Sequence, residues 1–354
     1  MRRSRRRRVF SEHLPAEVLG DGATIDLLRR FGLEVIVALP SDRETPAMAN
    51  AFERLGQAGV PLGVWPLLDD AEGYWPSEQN VTSFVRRVTR ALEFVDASGP
   101  GSGRALRTVA IDLEPPLEVT RLLLDGSLSD RLRTLAHAAR AARGDARRVE
   151  GEAAVEHFAS LQKTLEARGL ETIATAIPPV LFDLDAGVDY WQSVFRTPCW
   201  RVSWSKVSPM MYTSILRSFF PAGSRSVGPT LVNHAARALS FHCGARASIS
   251  LGCVGAGKLG DEPVMTDPAD LSRDVLAARL GGVDDLALFA LEGVVASPVP
   301  EAWLSAFVSD ESRGREAVGV HRFEPSWAVS SLVSAASLAT RLGARGWRTT
   351  MRRS

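Results

Sequence analysis

The sequence is poor in the features that mark disulfide-rich, zinc-binding and nucleic-acid-binding proteins. It has three cysteines in 354 residues, Cys199, Cys243 and Cys253, an odd number without C-x-x-C spacing. This pattern predicts neither a disulfide framework nor a structural zinc site, and the thiols are expected to be small buried groups. Lysine and arginine (42) nearly balance aspartate and glutamate (41), so the net charge favours no charged partner such as nucleic acid.

Long hydrophobic runs are also missing. The N-terminus MRRSRRRRVF carries six arginines in its first eight residues, and no apolar segment follows, so residues 1–7 are interpreted as a basic solvated tail rather than a signal peptide. The segment AVSSLVSAASLATRLG (328–343) is too short and too rich in Ser and Thr to span a membrane, which predicts a helix packed on the domain. We expect a cytoplasmic monomer or weak oligomer, unless an upstream start codon adds a leader.

What the chain does contain is a regular alternation of short β-rich runs and longer amphipathic runs. The strand candidates are 8–14, 34–40, 60–68, 107–115, 171–179, 207–214, 247–255 and 285–293. The helix candidates are 23–31, 46–58, 78–97, 150–168, 186–195, 229–242, 268–280 and 299–308. Eight βα units predict an α/β fold with a single closed (β/α)8 TIM barrel, because parallel strands need crossovers and eight strands close without an edge. A doubly wound open sheet is the alternative.

Two segments lie outside this repeat. Residues 118–149 form an Arg-rich and Ala-rich helical insertion after strand four, interpreted as a decoration on the barrel, and residues 309–354 form a C-terminal extension with a helix. The barrel itself is expected to span 8–308. Local signals support the units: Asp267 followed by Pro268 predicts a helix start, and Gly281-Gly282 predicts its end.

The stretch VAIDLEPP (109–116) carries the strongest chemical signal. Asp112 and Glu114 are two residues apart on strand four, so both side chains point to the same face, which we expect to be the barrel interior. Active sites of this fold lie at the C-terminal ends of the strands. Two inward carboxylates are costly to ionise together, which should raise the pKa of one and let it donate a proton near neutral pH. The alternative is that both acids have a structural role.

Further candidates come from the other strand ends. We expect Tyr212 and Glu292 to join Asp112 and Glu114 in catalysis, with the separation of Glu114 and Glu292 deciding between retention and inversion. The expected substrate-binding residues are Glu12, Trp65, Glu72, Tyr74 and Trp75, with the aromatics either forming an exposed sugar platform or anchoring the core. His13 alone gives thin support for a metal site, so no metal or cofactor is expected. The loop GCVGAGKLG (252–260) lacks phosphate-loop spacing.

The D-x-E sequence at the end of strand four, together with Met210-Met211-Tyr212 on strand six, resembles the catalytic strands of the chitinase-like family 18 glycoside hydrolases. This resemblance implies a TIM-barrel glycosidase acting on a carbohydrate. Glu114 would be the general acid that protonates the glycosidic oxygen, Asp112 would orient an acetamido group of the substrate, and Tyr212 would supply a supporting hydroxyl.

The chain also departs from the pattern of that family. Ala110 and earlier apolar residues replace further acids, Thr213 replaces the strand-six aspartate, and Glu292 stands where tryptophan is usual. These departures concern N-acetyl assistance more than the barrel. The expectation is a glycoside hydrolase with Glu114 as general acid. The alternatives are a catalytically inactive carbohydrate-binding barrel and, with less support, a metal-dependent sugar isomerase or hydrolase.

Overall fold

A computed structural model describes residues 6–142, 145–217 and 227–309 and, near the C-terminus, 331, 333–342 and 344. Its strands are β1 Arg7–Ser11, β2 Glu34–Leu39, β3 Leu62–Pro66, β4 Leu106–Leu113, β5 Glu171–Ala176, β6 Lys206–Tyr212, β7 Ile249–Gly252 and β8 Leu286–Phe289. All adjacent strands pair in parallel, and β1 pairs with both β2 and β8. The barrel is therefore closed in sequence order, and the predicted (β/α)8 fold is confirmed.

Helices connect the strands on the outside. They are α1 Ala16–Leu19, α2 Gly22–Arg30, α3 Pro46–Gln57, α4 Val81–Ser98, α5 Pro100–Ala105, α6 Leu117–Asp125, α7 Leu128–Ala141, α8 Asp145–Ala167, α9 Val180–Ala186, α10 Tyr190–Phe195, α11 Thr213–Arg217, α12 Val227–Cys243, α13 Pro268–Leu280, α14 Leu291–Ala296 and α15 Pro300–Val308. Residues 333–342 are helical, and residues 331 and 344 on either side of them are also helical. Residues 333–342 are called the C-terminal helix below. Short 3₁₀ turns cover Ser41–Arg43, Asp70–Glu72 and Gly244–Arg246.

The helix signals at α13 act as expected. The Asp267 carboxylate accepts a hydrogen bond from Ala269 N at 2.9 Å, which satisfies one of the free amides of the first turn, and Pro268 fits there because it needs no hydrogen-bond acceptor. The left-handed residue that ends the helix is Gly282, with φ of 93°. A side chain would be strained at that position.

Alternation along the strands creates two separate apolar layers. Outward residues such as Val35 and Val37 pack against the helices, in the same layer as Phe52 and Leu55 of α3. The inward residues form a second buried cluster that includes Phe10, Ile36, Ala38, Ala110, Ile173, Ala287 and Phe289. Small alanines alternate with larger side chains here, as they must for side chains to fill a narrow barrel.

The N-terminal end of the barrel holds buried charges. Arg8 is fully buried on β1 and forms ion pairs with Glu34 at 3.2 Å, with Glu171 at 2.5 Å and with Asp285. Arg7, which the sequence assigned to the basic tail, is instead the first residue of β1 and is buried, and it donates to the backbone oxygen of Asp284. Residues 1–5 of that predicted tail lie outside the described residues.

The helical insertion is present as α6, α7 and the start of α8. Helix α7 packs against α6 and against α10, so the insertion lies above the carboxyl ends of the strands. The C-terminal helix is held on the same side, because Trp191 Nε1 of α10 donates to Thr340 Oγ1 at 2.9 Å. The rest of the predicted C-terminal extension, residues 310–330, 332, 343 and 345–354, lies outside the described residues. Within the described ranges, no helix is long and apolar enough to cross a membrane.

Candidate active site

The end of β4 brings Asp112 and Glu114 together. Asp112 is buried, and in the strand register it lies opposite Thr175 of β5, whose hydroxyl donates to the Asp112 carboxylate. Strand β4 ends at Leu113, and the amide of Glu114 turns back to donate to Asp112 O at 3.0 Å. The neighbouring side chains of Glu114 and Trp75 both act to lower the pKa of Asp112. Both acids face one cavity.

Burial raises the pKa values of both carboxyl groups. Burial raises the pKa of Asp112 to about 7, and burial followed by the neighbouring charge of Asp112 raises the pKa of Glu114 well above its ordinary value. The interaction of the two side chains lowers the pKa of Asp112 and raises the pKa of Glu114, so it favours a proton on Glu114 and the charge on Asp112. Glu114 is therefore placed as the proton donor of the pair.

Glu12 forms a third acidic group directly after β1. It is buried, its Oε1 accepts a hydrogen bond from Tyr74 OH at 2.7 Å, and its Oε2 lies 3.5 Å from His13 Nε2. Burial raises its pKa. The predicted binding residue Glu12 thus lines the cavity, whereas the predicted binding residue Tyr74 holds Glu12 in place.

Glu262 is the acid that sequence reasoning missed. It follows the glycine-rich loop after β7, and its carboxylate accepts hydrogen bonds from Gly257 N at 3.2 Å and Leu259 N at 3.1 Å. A Cβ at Gly257 would lie 3.0 Å from Glu12 Oε2 and 3.2 Å from Glu262 Oε1, so these two acids flank the glycine. The loop amides that resemble a phosphate site therefore bind a carboxylate of the chain itself. The available signal was an acid two residues after this loop.

The aromatic candidates are buried in the wall of the cavity. Trp65 and Trp75 are 4% and 5% exposed, so the rings do not lie on the outer surface, and both line the cavity. Tyr212 lines it too, with its ring stacked on Phe289 at a centroid distance of 5.4 Å. These rings provide apolar surface against which one face of a sugar can pack.

Glu72 and Glu292 do not join this group. Glu72 is exposed in the turn Asp70–Glu72 and is not among the described residues that line the cavity. The expected position of Glu292 at the end of strand eight is wrong, because β8 stops at Phe289 and Glu292 lies in the first turn of α14. Its Oε1 accepts hydrogen bonds from His13 N at 2.6 Å, Leu14 N at 2.9 Å and Ser11 Oγ at 3.1 Å. Its contacts are those of a residue that fixes the loop after β1.

Thr213 replaces the strand-six aspartate of the family that the sequence resembles, and its hydroxyl contacts α13 rather than Asp112 or Glu114. It is buried, and its hydroxyl donates to Asp274 of α13. Burial raises the pKa of Asp274 to about 7. The tyrosine on β6 therefore has no neighbouring carboxylate supplied by residue 213.

The acids open into a cavity of about 770 Å³. From the strand ends it extends between α6, α7, α9, α10, α11, α12 and the C-terminal helix, each of which contributes lining residues. Lys258 also lines it, but its ammonium lies 2.7 Å from Asp70 Oδ1 and 4.1 Å from the centre of the Tyr74 ring. Among the described residues, no group of three or more His, Cys, Asp and Glu side chains is placed to hold a metal ion.

Comparison with known proteins identifies the fold but not a family. No protein family and no curated protein sequence matches the chain. Among solved structures, the PgaB (BpsB) glycoside hydrolase domain from Bordetella bronchiseptica is similar, with 10% identity, a TM-score of 0.51, and coverage of 86% of this chain and 99% of that domain. A chitinase from Chromobacterium violaceum gives 11% identity, a TM-score of 0.47 and coverage of 87% and 100%. A D-psicose 3-epimerase from Clostridium cellulolyticum gives 11%, 0.41 and coverage of 95% and 98%. The likeness to the PgaB domain concerns the fold alone.

Proposed function

We propose that the protein is a glycoside hydrolase in which Glu114 is the general acid. The observation that carries this proposal is the pair of adjacent acids, Asp112 and Glu114, which lie at the end of β4 and both line the cavity. A carboxyl group that stays protonated at neutral pH beside an ionised acid is the arrangement that glycosidases use to protonate a leaving group.

The proposed reaction follows from the placement of the acids. Glu114 donates its proton to the glycosidic oxygen as the bond to the anomeric carbon breaks, and positive charge develops on the sugar ring. A water molecule then adds to the anomeric carbon and gives a proton to a carboxylate of the site, which completes the hydrolysis. Asp112, Glu12 and Glu262 surround this position with carboxyl groups, and those that are ionised stabilise the developing charge. Trp65 and Trp75 supply apolar walls beside the ring.

Replacing Glu114 by Gln tests this role. Gln keeps the size and polarity of the side chain but has no acidic proton, so we expect turnover to fall by about 10²- to 10⁴-fold. The assay measures release of reducing ends or nitrophenol from a panel of oligosaccharides and nitrophenyl glycosides. Glu93→Gln, on the exposed surface of α4, is the matched control and should retain activity. Equal turnover by Glu114→Gln and the unsubstituted protein would overturn the assignment.

A carbohydrate-binding barrel without catalysis is the second candidate. The observation that favours it is the residue that follows Tyr212. The family that the sequence resembles has an aspartate there, whereas this chain has Thr213, whose hydroxyl donates to Asp274. This candidate predicts saturable binding of a glycan by calorimetry with no product release at high protein concentration. Release of product that depends on Glu114 excludes it.

A further inference from the structure

We propose that the substrate of this site is an amphiphile, a sugar joined to a hydrocarbon chain, with the chain bound in an apolar arm of the cavity. This inference rests on the proposed function for the position of the sugar. The apolar arm is the part of the cavity lined by the helices above β4–β6. Its lining includes Leu123 of α6, Leu135 of α7, Phe182 of α9, Phe195 of α10, Leu231 of α12 and Val333 of the C-terminal helix.

The two parts of the cavity differ in chemistry. The carboxyl groups of Glu12, Asp112, Glu114 and Glu262 all belong to strand ends or to the loop after β7, near the barrel axis. The apolar arm is built from helices that lie farther along the cavity. A ligand that fills both parts must therefore be polar at one end and apolar at the other.

Two hydrogen-bond donors in the apolar arm are engaged within the protein, and Asp185 and His234 also line this part of the cavity. The Thr120 hydroxyl donates to Pro115 O at 3.2 Å, and Trp191 Nε1 donates to Thr340 Oγ1 at 2.9 Å. Asp185 Oδ1 lies 3.7 Å from His242 Nε2, and its backbone oxygen accepts from Arg341 at 3.0 Å. The Thr120 and Trp191 donors are therefore taken up within the protein, and the remaining polar side chains are few beside the apolar lining of this arm.

Energetics favour a hydrocarbon in this arm over another sugar ring. Moving one methylene from water into an apolar site lowers the free energy of binding. This gain corresponds to an increase in affinity of up to about fourfold. A sugar hydroxyl buried there without a partner is unfavourable by a larger amount. A cavity of about 770 Å³ also lies within the range that encloses ligands much larger than one sugar ring.

The C-terminal helix closes the apolar arm, and its alanines allow a matched test. Ala336 lines the cavity, whereas its neighbour Ala335 is exposed. A tryptophan at position 336 would fill part of the apolar arm, and a tryptophan at position 335 would project into solvent. The pair thus separates loss of the apolar arm from any general effect of tryptophan on the helix.

The experiment is a chain-length series. Calorimetry with Glu114→Gln, which we expect to bind without turnover, measures the Kd of n-alkyl β-D-glucosides and n-alkyl N-acetyl-β-D-glucosaminides from methyl to decyl, below their micellar concentrations. We expect the Kd of at least one series to fall by two- to fourfold per methylene and then level off. Ala336→Trp, added to that variant, should raise the Kd of the octyl compound at least tenfold, and Ala335→Trp should leave it unchanged.

A second pair of substitutions covers the possibility that Ala336→Trp does not fold. Leu135→Asn makes the apolar arm more polar and should raise the Kd of the octyl compound at least fivefold, while Leu122→Asn, at an exposed position of α6, should not. Equal Kd values for methyl and octyl compounds in both series, or chain-length dependence that survives Ala336→Trp and Leu135→Asn, would overturn the proposal. Turnover in the unsubstituted protein tests the glycosidase separately, because alkyl-chain binding does not depend on catalysis.

Discussion

The two ends of the barrel bury acidic residues in opposite ways. At the N-terminal end, Glu34, Glu171 and Asp285 face the buried Arg8, with Arg6 and Lys206 bound at the edge. At the C-terminal mouth, hydroxyl groups hold Glu12 and Asp112, backbone amides hold Glu262, and His13 lies 3.5 Å from Glu12.

The difference appears in the protonation of each end. Burial by itself lowers the pKa of Arg8, but the charges of Asp285, Glu34 and Glu171 outweigh burial and raise it, so Arg8 keeps its positive charge. At the mouth, burial raises the pKa values of Glu12, Asp112 and Glu114. An acid that is buried with a cation is a structural ion pair, whereas an acid that is buried without one holds its proton and can donate it.

At the N-terminal end, replacing Arg8 should cause the largest loss of stability. Arg8→Met leaves three acids without their central cation, and we expect the free energy of unfolding to fall by about 3–5 kcal/mol, as measured by urea denaturation at pH 7. Arg6→Met is the control: Arg6 is 43% exposed and binds Glu171 from the edge, so its loss should have an effect of about 1 kcal/mol or less. Equal effects of the two substitutions would contradict the central role of Arg8.

At the mouth, removal of an acidic group should make the unfolding free energy less sensitive to rising pH. The pKa of Asp112 rises from 3.8 to about 7 on folding, so the folded protein holds a proton that the unfolded chain has released. The stabilising contribution of Asp112 is therefore present below about pH 4 and is lost as the pH rises through 7. In Asp112→Asn, the fall in unfolding free energy between pH 5 and 8 should be smaller by on the order of 2 kcal/mol.

The control for this pH series is Asp261→Asn, at an exposed position. It should show the same decline as the unsubstituted protein. A residual decline is expected in Asp112→Asn, because burial also raises the pKa values of Asp183 and Asp274 to about 7. Identical pH dependence of the unfolding free energy in Asp112→Asn and Asp261→Asn would show that the pKa of Asp112 does not rise on folding.

The comparison of the two ends also shows which features could be predicted from the sequence and which could not. Periodicity and helix signals located every strand, and with them Asp112 and Glu114, because strand alternation is a local property. Glu262 escaped notice because its position depends on how a loop folds back over the barrel. Glu292 was misplaced because strand eight ends three residues before it, and element boundaries are set by tertiary packing. The insertion, interpreted as a decoration, proves to be a wall of the cavity.

Glu292 offers the mildest test of the comparison. It lies near the mouth, yet its Oε1 accepts three hydrogen bonds from Ser11, His13 and Leu14, which gives it a structural role through hydrogen bonds rather than through an ion pair of the kind that Arg8 forms. Glu292→Gln keeps an acceptor oxygen but loses the charge that strengthens these bonds, so we expect about 1 kcal/mol of lost stability by urea denaturation. Turnover should stay within about threefold, because the side chain is not among the described residues that line the cavity. A loss of activity like that of Glu114→Gln would place Glu292 in catalysis, as the sequence predicted, and would extend the reactive end of the barrel to α14.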